Sequence, residues 1–246
     1  MNKFKYFLLA IVLSACTSDD TADLIENSNT LTGYLQNRSV ENGAVIACAG
    51  NTEDDTFNVE IFFYPEENAT NFRLYETSSP DVDSNEFLNY NRVLLDDIPV
   101  FNGYLRKFTG NFISERWFIV SFEIDEEIKI SNPIRIKNIS QSTLYTDDIS
   151  INQQESQMPL FNWNVTSEMN NAIFFQVLST TNNDLISGTY TFENQFQYYD
   201  TSNVVLNITN GTPPDLTLGE DYKMTIMDVS VDNWINEIFV SQFTVE

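Results

Sequence analysis

The chain has 246 residues, enough for two units of roughly 100 residues that each bury a core. Asp and Glu total 36 against 12 Lys and Arg, and the net charge of -24 makes a field that repels nucleic acid and anionic surfaces. Hydrophobic residues make up 42% and aromatics 13%, which argues against disorder, and the absence of histidine removes Ser-His-Asp, Cys-His and His-ligated metal chemistry.

The N-terminus opens with Lys3 and Lys5, continues in an apolar run from Tyr6 to Leu13, and reaches small residues before Cys16. A bilayer span needs about 20 apolar residues, so this run is too short to cross. Leu13-Ser14-Ala15-Cys16 resembles the lipobox of bacterial lipoproteins. The resemblance implies a signal peptide over residues 1–15, cleavage before Cys16, and lipid on the Cys16 sulfur. The next residues include Ser18, Asp19 and Asp20, which resemble the export signal of surface lipoproteins in Bacteroidota-type bacteria. That implies a lipid anchor in the outer membrane with the protein facing the cell exterior, the periplasmic face being the alternative. Residues 16–42 are polar and acidic without alternation and read as a flexible tether. With Cys16 lipidated, Cys48 has no intrachain partner, and within Ala44–Ala49 it reads as a small buried residue of a strand.

From residue 43 onward, short β-rich runs separated by Asn, Asp, Ser and Pro predict antiparallel strands. Those of the first unit, residues 43–140, include Phe57–Phe63, Asn71–Tyr75 and Arg116–Phe122. Asp81, Asp83 and Asn85 have the alternating oxygen spacing that begins an EF-hand calcium loop, but Glu86 stands where glycine is required and Arg92 where the closing glutamate belongs. An irregular Ca2+ site on these three residues therefore stands against a plain polar loop. Glu123 with Asp125 or Glu126 could form the carboxylate pair of a hydrolase. Glu126 and Glu127 read as a hairpin tip, which favours a solvated turn instead. Ser131–Ile136 reads as a last strand with Pro133 near its start, and the boundary between units falls near Asn138 to Ser142.

In residues 141–246, Pro159–Trp163 resembles the second strand of fibronectin type III domains, with Trp163 in the core. Leu216–Tyr222 resembles their tyrosine corner, and the resemblance implies a β-sandwich of that kind. Asn194 to Asp200 reads as a polar insertion. The first unit reads as a degenerate, Ig-like copy: Ala69–Leu74 can be laid on Ala172–Val177 and Trp117 on Tyr222, with offsets of 103 and 105. Trp117 and Trp163 are expected to be buried. Trp234, in the last hairpin loop, and Tyr198 with Tyr199, beside Asp200, are candidate contacts for a glycan or protein ligand.

The expectation is thus an all-β protein of two tandem antiparallel β-sandwiches, with no catalytic residues and no cofactor other than Ca2+. It would act as a lipid-anchored binding, adhesion or spacer module whose partners are the membrane, through its lipid, and an unknown protein or glycan. The alternatives are a glycan-binding accessory lipoprotein of an outer-membrane sugar uptake system and, third, a carboxylate-dependent hydrolase.

Overall fold

Alternation with a period of two shapes the first half of the computed structural model, which describes residues 29–166, 170–209 and 211–246. Cys16, Ser18, Asp19 and Asp20 lie outside the described residues. Ten strands form the first half: β1 (Val40–Val45), β2 (Ala47–Asn51), β3 (Asn58–Phe63), β4 (Thr70–Glu76), β5 (Asn91–Val93), β6 (Asp97–Val100), β7 (Leu105–Asn111), β8 (Trp117–Ile124), β9 (Glu127–Ser131) and β10 (Ile134–Arg135). The first sheet runs β1-β9-β8-β4-β5, with β10 beside β8, and the second runs β2-β3-β7-β6. In β3, Val59, Ile61 and Phe63 turn inward onto Leu74 of β4 and onto Phe118, Val120 and Phe122 of β8. Lettering β2 to β9 as A to G, with β5 as C′, gives sheets A-B-E-D and C′-C-F-G, the immunoglobulin order.

Nine strands form the second half: β11 (Leu144–Thr146), β12 (Ile149–Asn152), β13 (Leu160–Trp163), β14 (Asn171–Thr180), β15 (Leu185–Thr191), β16 (Gln195–Gln197), β17 (Val204–Asn207), β18 (Asp221–Ser230) and β19 (Ile235–Thr244). They make a third sheet, β11-β19-β18-β14-β15-β17, and a fourth, β12-β13-β16. Trp163 is buried between them with Phe161, Phe174, Met224, Ile226 and Phe239. The Tyr222 hydroxyl accepts a hydrogen bond from the Thr217 backbone N–H at 3.1 Å, which closes the tyrosine corner. The expected insertion at Asn194 to Asp200 instead contains β16, whose Phe196 enters this core opposite Phe161. Its polar neighbours point outward, so a three-residue edge strand reads as a loop.

The two halves share a central strand order, β2-β3-β7 with β9-β8-β4-β5 matching β12-β13-β16 with β19-β18-β14-β15, while β6 extends the smaller sheet of the first half and β17 the larger sheet of the second, and side-chain facing corrects the alignment. Leu74 pairs with Val120, and both face the first core; their counterparts are Leu178 and Met224, which pair in the second core. Here 178 minus 74 and 224 minus 120 both give 104. Offsets of 103 and 105 each miss by one residue, which puts every side chain on the wrong face. Tyr222 therefore corresponds to Phe118 rather than to Trp117.

The tether expected over residues 16–42 gives way to folded structure within its described part. Helix α1 (Leu31–Leu35) is capped by Thr30, whose hydroxyl accepts from the Gly33 N–H at 3.1 Å. Leu31 and Tyr34, three apart on one helix face, bury against Tyr75, Tyr90 and Ile119 on the outer face of the first sheet. Strand β1 then pairs in parallel with β9.

The sandwiches are stacked, with the second sheet on the third. Phe62 of β3 and Leu105 of β7 meet Phe175 and Val177 of β14 and Met227 of β18 in a shared apolar layer. In addition, the loop joining β18 to β19 reaches across and delivers Trp234 into the buried core cluster of the first sandwich, where its backbone bridges that of Ala49. Ala49 donates its backbone N–H to the Asn233 carbonyl at 3.0 Å, and Lys137 pairs with Asp232 at 2.8 Å.

Candidate functional site

The aromatic ligand contacts expected from the sequence are mostly interior. Trp234 is fully buried and its indole N–H donates to the Gln141 carbonyl at 2.8 Å, so it is a core residue of the neighbouring sandwich and not a ligand contact. Tyr198 is also fully buried and donates to the Pro214 carbonyl. Tyr199 is half-buried, and its hydroxyl donates to Asp215 at 2.6 Å. Trp117, expected in the core, sits half-buried at the rim of the first sheet, where its N–H donates to the Pro80 carbonyl. Trp163 is interior as expected.

The acidic candidates disperse. Asp81 and Asp83 each fold onto their own loop: the Asp81 N–H donates to the Ser79 hydroxyl, and Asp83 accepts from the Asn85 N–H at 2.9 Å. Among the described residues no three His, Cys, Asp or Glu side chains gather in a way that could hold a metal ion. Asp125 and Glu126 form the two-residue turn between β8 and β9, both with positive φ. Glu123 accepts from Arg38 at 2.9 Å, from the Tyr34 hydroxyl and from Asn71, and these donors hold its pKa down at about 2.

One pair of acids escapes sequence reading altogether. Asp228 and Glu237 are cross-strand partners on β18 and β19, both buried. Burial raises the Asp228 pKa, and the charge of Glu237 adds to the effect, while Asn171 and Asn236 donate to its oxygens. Glu237 accepts from both the backbone N–H and the hydroxyl of Thr166, so the pair anchors the loop after β13.

The cavity best suited to a ligand lies in the apolar layer between the sandwiches and has a volume of about 190 Å³. Cys48 and Phe62 line it from the second sheet, and Phe175, Tyr190 and Met227 from the third, with Asn132 and Asn233 supplying polar groups. Phe175 and Tyr190 stack with centroids 4.4 Å apart. Enclosure pushes the Cys48 thiol up to about 12 and the Tyr190 hydroxyl well above its usual value, so the walls stay uncharged at neutral pH. Such a cavity accepts an apolar group of about benzene size. The sequence signal for it was the unbroken apolar runs Ile61-Phe62-Phe63 and Ile173-Phe174-Phe175, because strands covered on both faces lose their polar alternation.

No family model matches this chain, and no curated protein matches it. Among solved structures it is similar to a two-domain fibronectin type III segment from chicken tenascin, at 14% identity over 82% of this chain and 98% of that chain, with a TM-score of 0.24. It is also similar to the glycoside hydrolase domain of Endo-D from Streptococcus pneumoniae, at 10% identity over 81% of this chain and 32% of that chain, with a TM-score of 0.32. A third likeness is to the receptor tyrosine kinase Torso, at 10% identity over 92% of this chain and 86% of that chain, with a TM-score of 0.25. At such scores the overlap carries no argument, and the description of the fold rests on the strand order, the buried Trp163 and the tyrosine corner.

Proposed function

We propose that this chain is a non-catalytic binding module of the cell envelope, held by lipid on Cys16 in the outer membrane and displayed outward behind Ser18, Asp19 and Asp20. The observation that supports binding over a mere spacer is the apolar cavity between the sandwiches, since a spacer needs no uncharged hollow lined by Phe62, Phe175, Tyr190 and Met227. Its occupant is an apolar group, aromatic or branched aliphatic, presented by a partner. The glycan reading loses two of the three rings on which it rested, because Trp234 and Tyr198 are interior and only Tyr199 is half-buried.

Two experiments test this reading. Radiolabelled palmitate should enter the wild type and not a Cys16→Ala variant; equal labelling of both would end the anchor. Benzene or indole should shift the NMR resonances of residues lining the cavity and raise the melting temperature. Phe62→Trp, which adds ring volume beside the cavity, should abolish both effects. Unchanged resonances in the wild type at saturating indole would remove the cavity as a ligand seat.

A further inference from the structure

Ten of the twelve lysines and arginines fall among the described residues, and seven of those pair with carboxylates, as an acid-rich chain would lead one to expect. Lys223 is held by Asn183. Among the described residues Arg73 and Arg92 have no carboxylate partner, although acids outnumber bases threefold in the chain, and the fold places the two arginines together. Arg92 on β5 is the cross-strand partner of Tyr75 on β4, while Arg73 lies two residues before Tyr75 and pairs with Ser121 on β8. Cross-strand partners and residues two apart share a face, so all four side chains lie on the outer face of the first sheet, the face that α1 covers.

Four buried polar atoms on that face lack a well-formed hydrogen bond, namely Arg73 Nη1, Arg92 Nε, Tyr75 Oη and Ser121 Oγ, and the Tyr75 hydroxyl lies against the Arg73 guanidinium, which favours its ionised form. They make up four of the seven such atoms among the described residues, and Tyr75 is fully buried. A folded protein rarely leaves desolvated donors unmatched, and a cluster of them marks a missing acceptor. The nearby carboxylate of Glu123 is turned to other donors, its Oε1 accepting from Arg38, Tyr34 and Asn71, and neither Arg73 nor Arg92 is paired with it. The Tyr34 ring stacks 3.9 Å from the Arg73 guanidinium carbon and fixes the orientation of its fork. Both arginines are only half-buried, so the cluster reaches solvent.

We propose that Arg73, Arg92, Tyr75 and Ser121 form a binding site for an oxyanion, a carboxylate or sulfate group carried by an external ligand. Guanidinium forks match the paired oxygens of either group, and the two hydroxyls supply the remaining donors. The site is independent of the apolar cavity, which lies on the opposite side of the first sandwich. To test it, the full chain is melted in sodium sulfate, sodium acetate and sodium chloride at matched ionic strength. Sulfate or acetate should raise the melting temperature above the chloride control by about 5 °C at saturation, and the anion that acts identifies the group. Arg92→Met and Arg73→Met keep the aliphatic stem, and each should abolish the rise while melting without anion at or above the wild-type temperature. An equal rise in all three salts, or an undiminished rise in either variant, would overturn the proposal.

Discussion

Glu123 shows how a single carboxylate in this acidic chain acquires a structural duty. Arg38, Tyr34 and Asn71 stabilise its charged form, and its pKa falls to about 2 from an ordinary 4.5. A lowered carboxyl pKa stabilises the fold above the unfolded value, and that stability is lost as pH falls through about 2. Glu123→Gln should therefore cost about 2 kcal/mol at pH 7 once solvent screening is allowed for, as read from urea unfolding. The difference from wild type should shrink steadily below pH 4. Asp228 acts in the opposite sense: its raised pKa makes its contribution greatest in acid, and that contribution is lost as pH rises through the folded value. Trp234→Ala should cost about 3–5 kcal/mol, since it empties a large space in a core built by the other sandwich. A loss below 1 kcal/mol in denaturant titration would contradict that packing.

At the scale of elements, two local devices hold the second sandwich in register. The Tyr222 hydroxyl ties the turn at Thr217 to the start of β18, and Tyr222→Phe should lower stability by about 1 kcal/mol without altering the far-ultraviolet circular dichroism. Gly188 on β15 lies against Ile208, and a Cβ at this position would stand 2.6 Å from Ile208 Cγ1. Gly188→Ala should push Ile208 away and cost about 1–3 kcal/mol, whereas the double variant Gly188→Ala with Ile208→Val should recover part of the loss. If thermal denaturation shows Gly188→Ala to be neutral, the close approach of β15 to Ile208 is wrong.

The whole molecule behaves as two sandwiches sharing a layer rather than as beads on a string. Because Trp234 belongs to the second half and completes the first core, residues 29–140 expressed alone should be unstable and lack a cooperative melt. Residues 29–246 should unfold in a single calorimetric transition, with the van't Hoff enthalpy matching the measured one. Two separated transitions would show that the shared layer contributes little.

The residues themselves determined the all-β class, the β-sandwich architecture, Trp163 in the core and the tyrosine corner, since alternation and turn chemistry act over a few residues and are written locally. The pattern also read Glu126 as part of a tight turn, and the turn is Asp125-Glu126. What the pattern could not express is which side of a strand meets which neighbour. Trp234 follows a run of polar and acidic residues and reads as a ring offered to solvent, until another sandwich closes over it. Leu31 and Tyr34 sit in polar sequence and read as tether, until a sheet face receives them. The arginines of β4 and β5 stand at ordinary strand spacing, and only pairing brings them together around Tyr75. Facing and long-range pairing depend on contacts between residues up to about 185 positions apart, such as Ala49 with Trp234, and those contacts exist only in the tertiary structure.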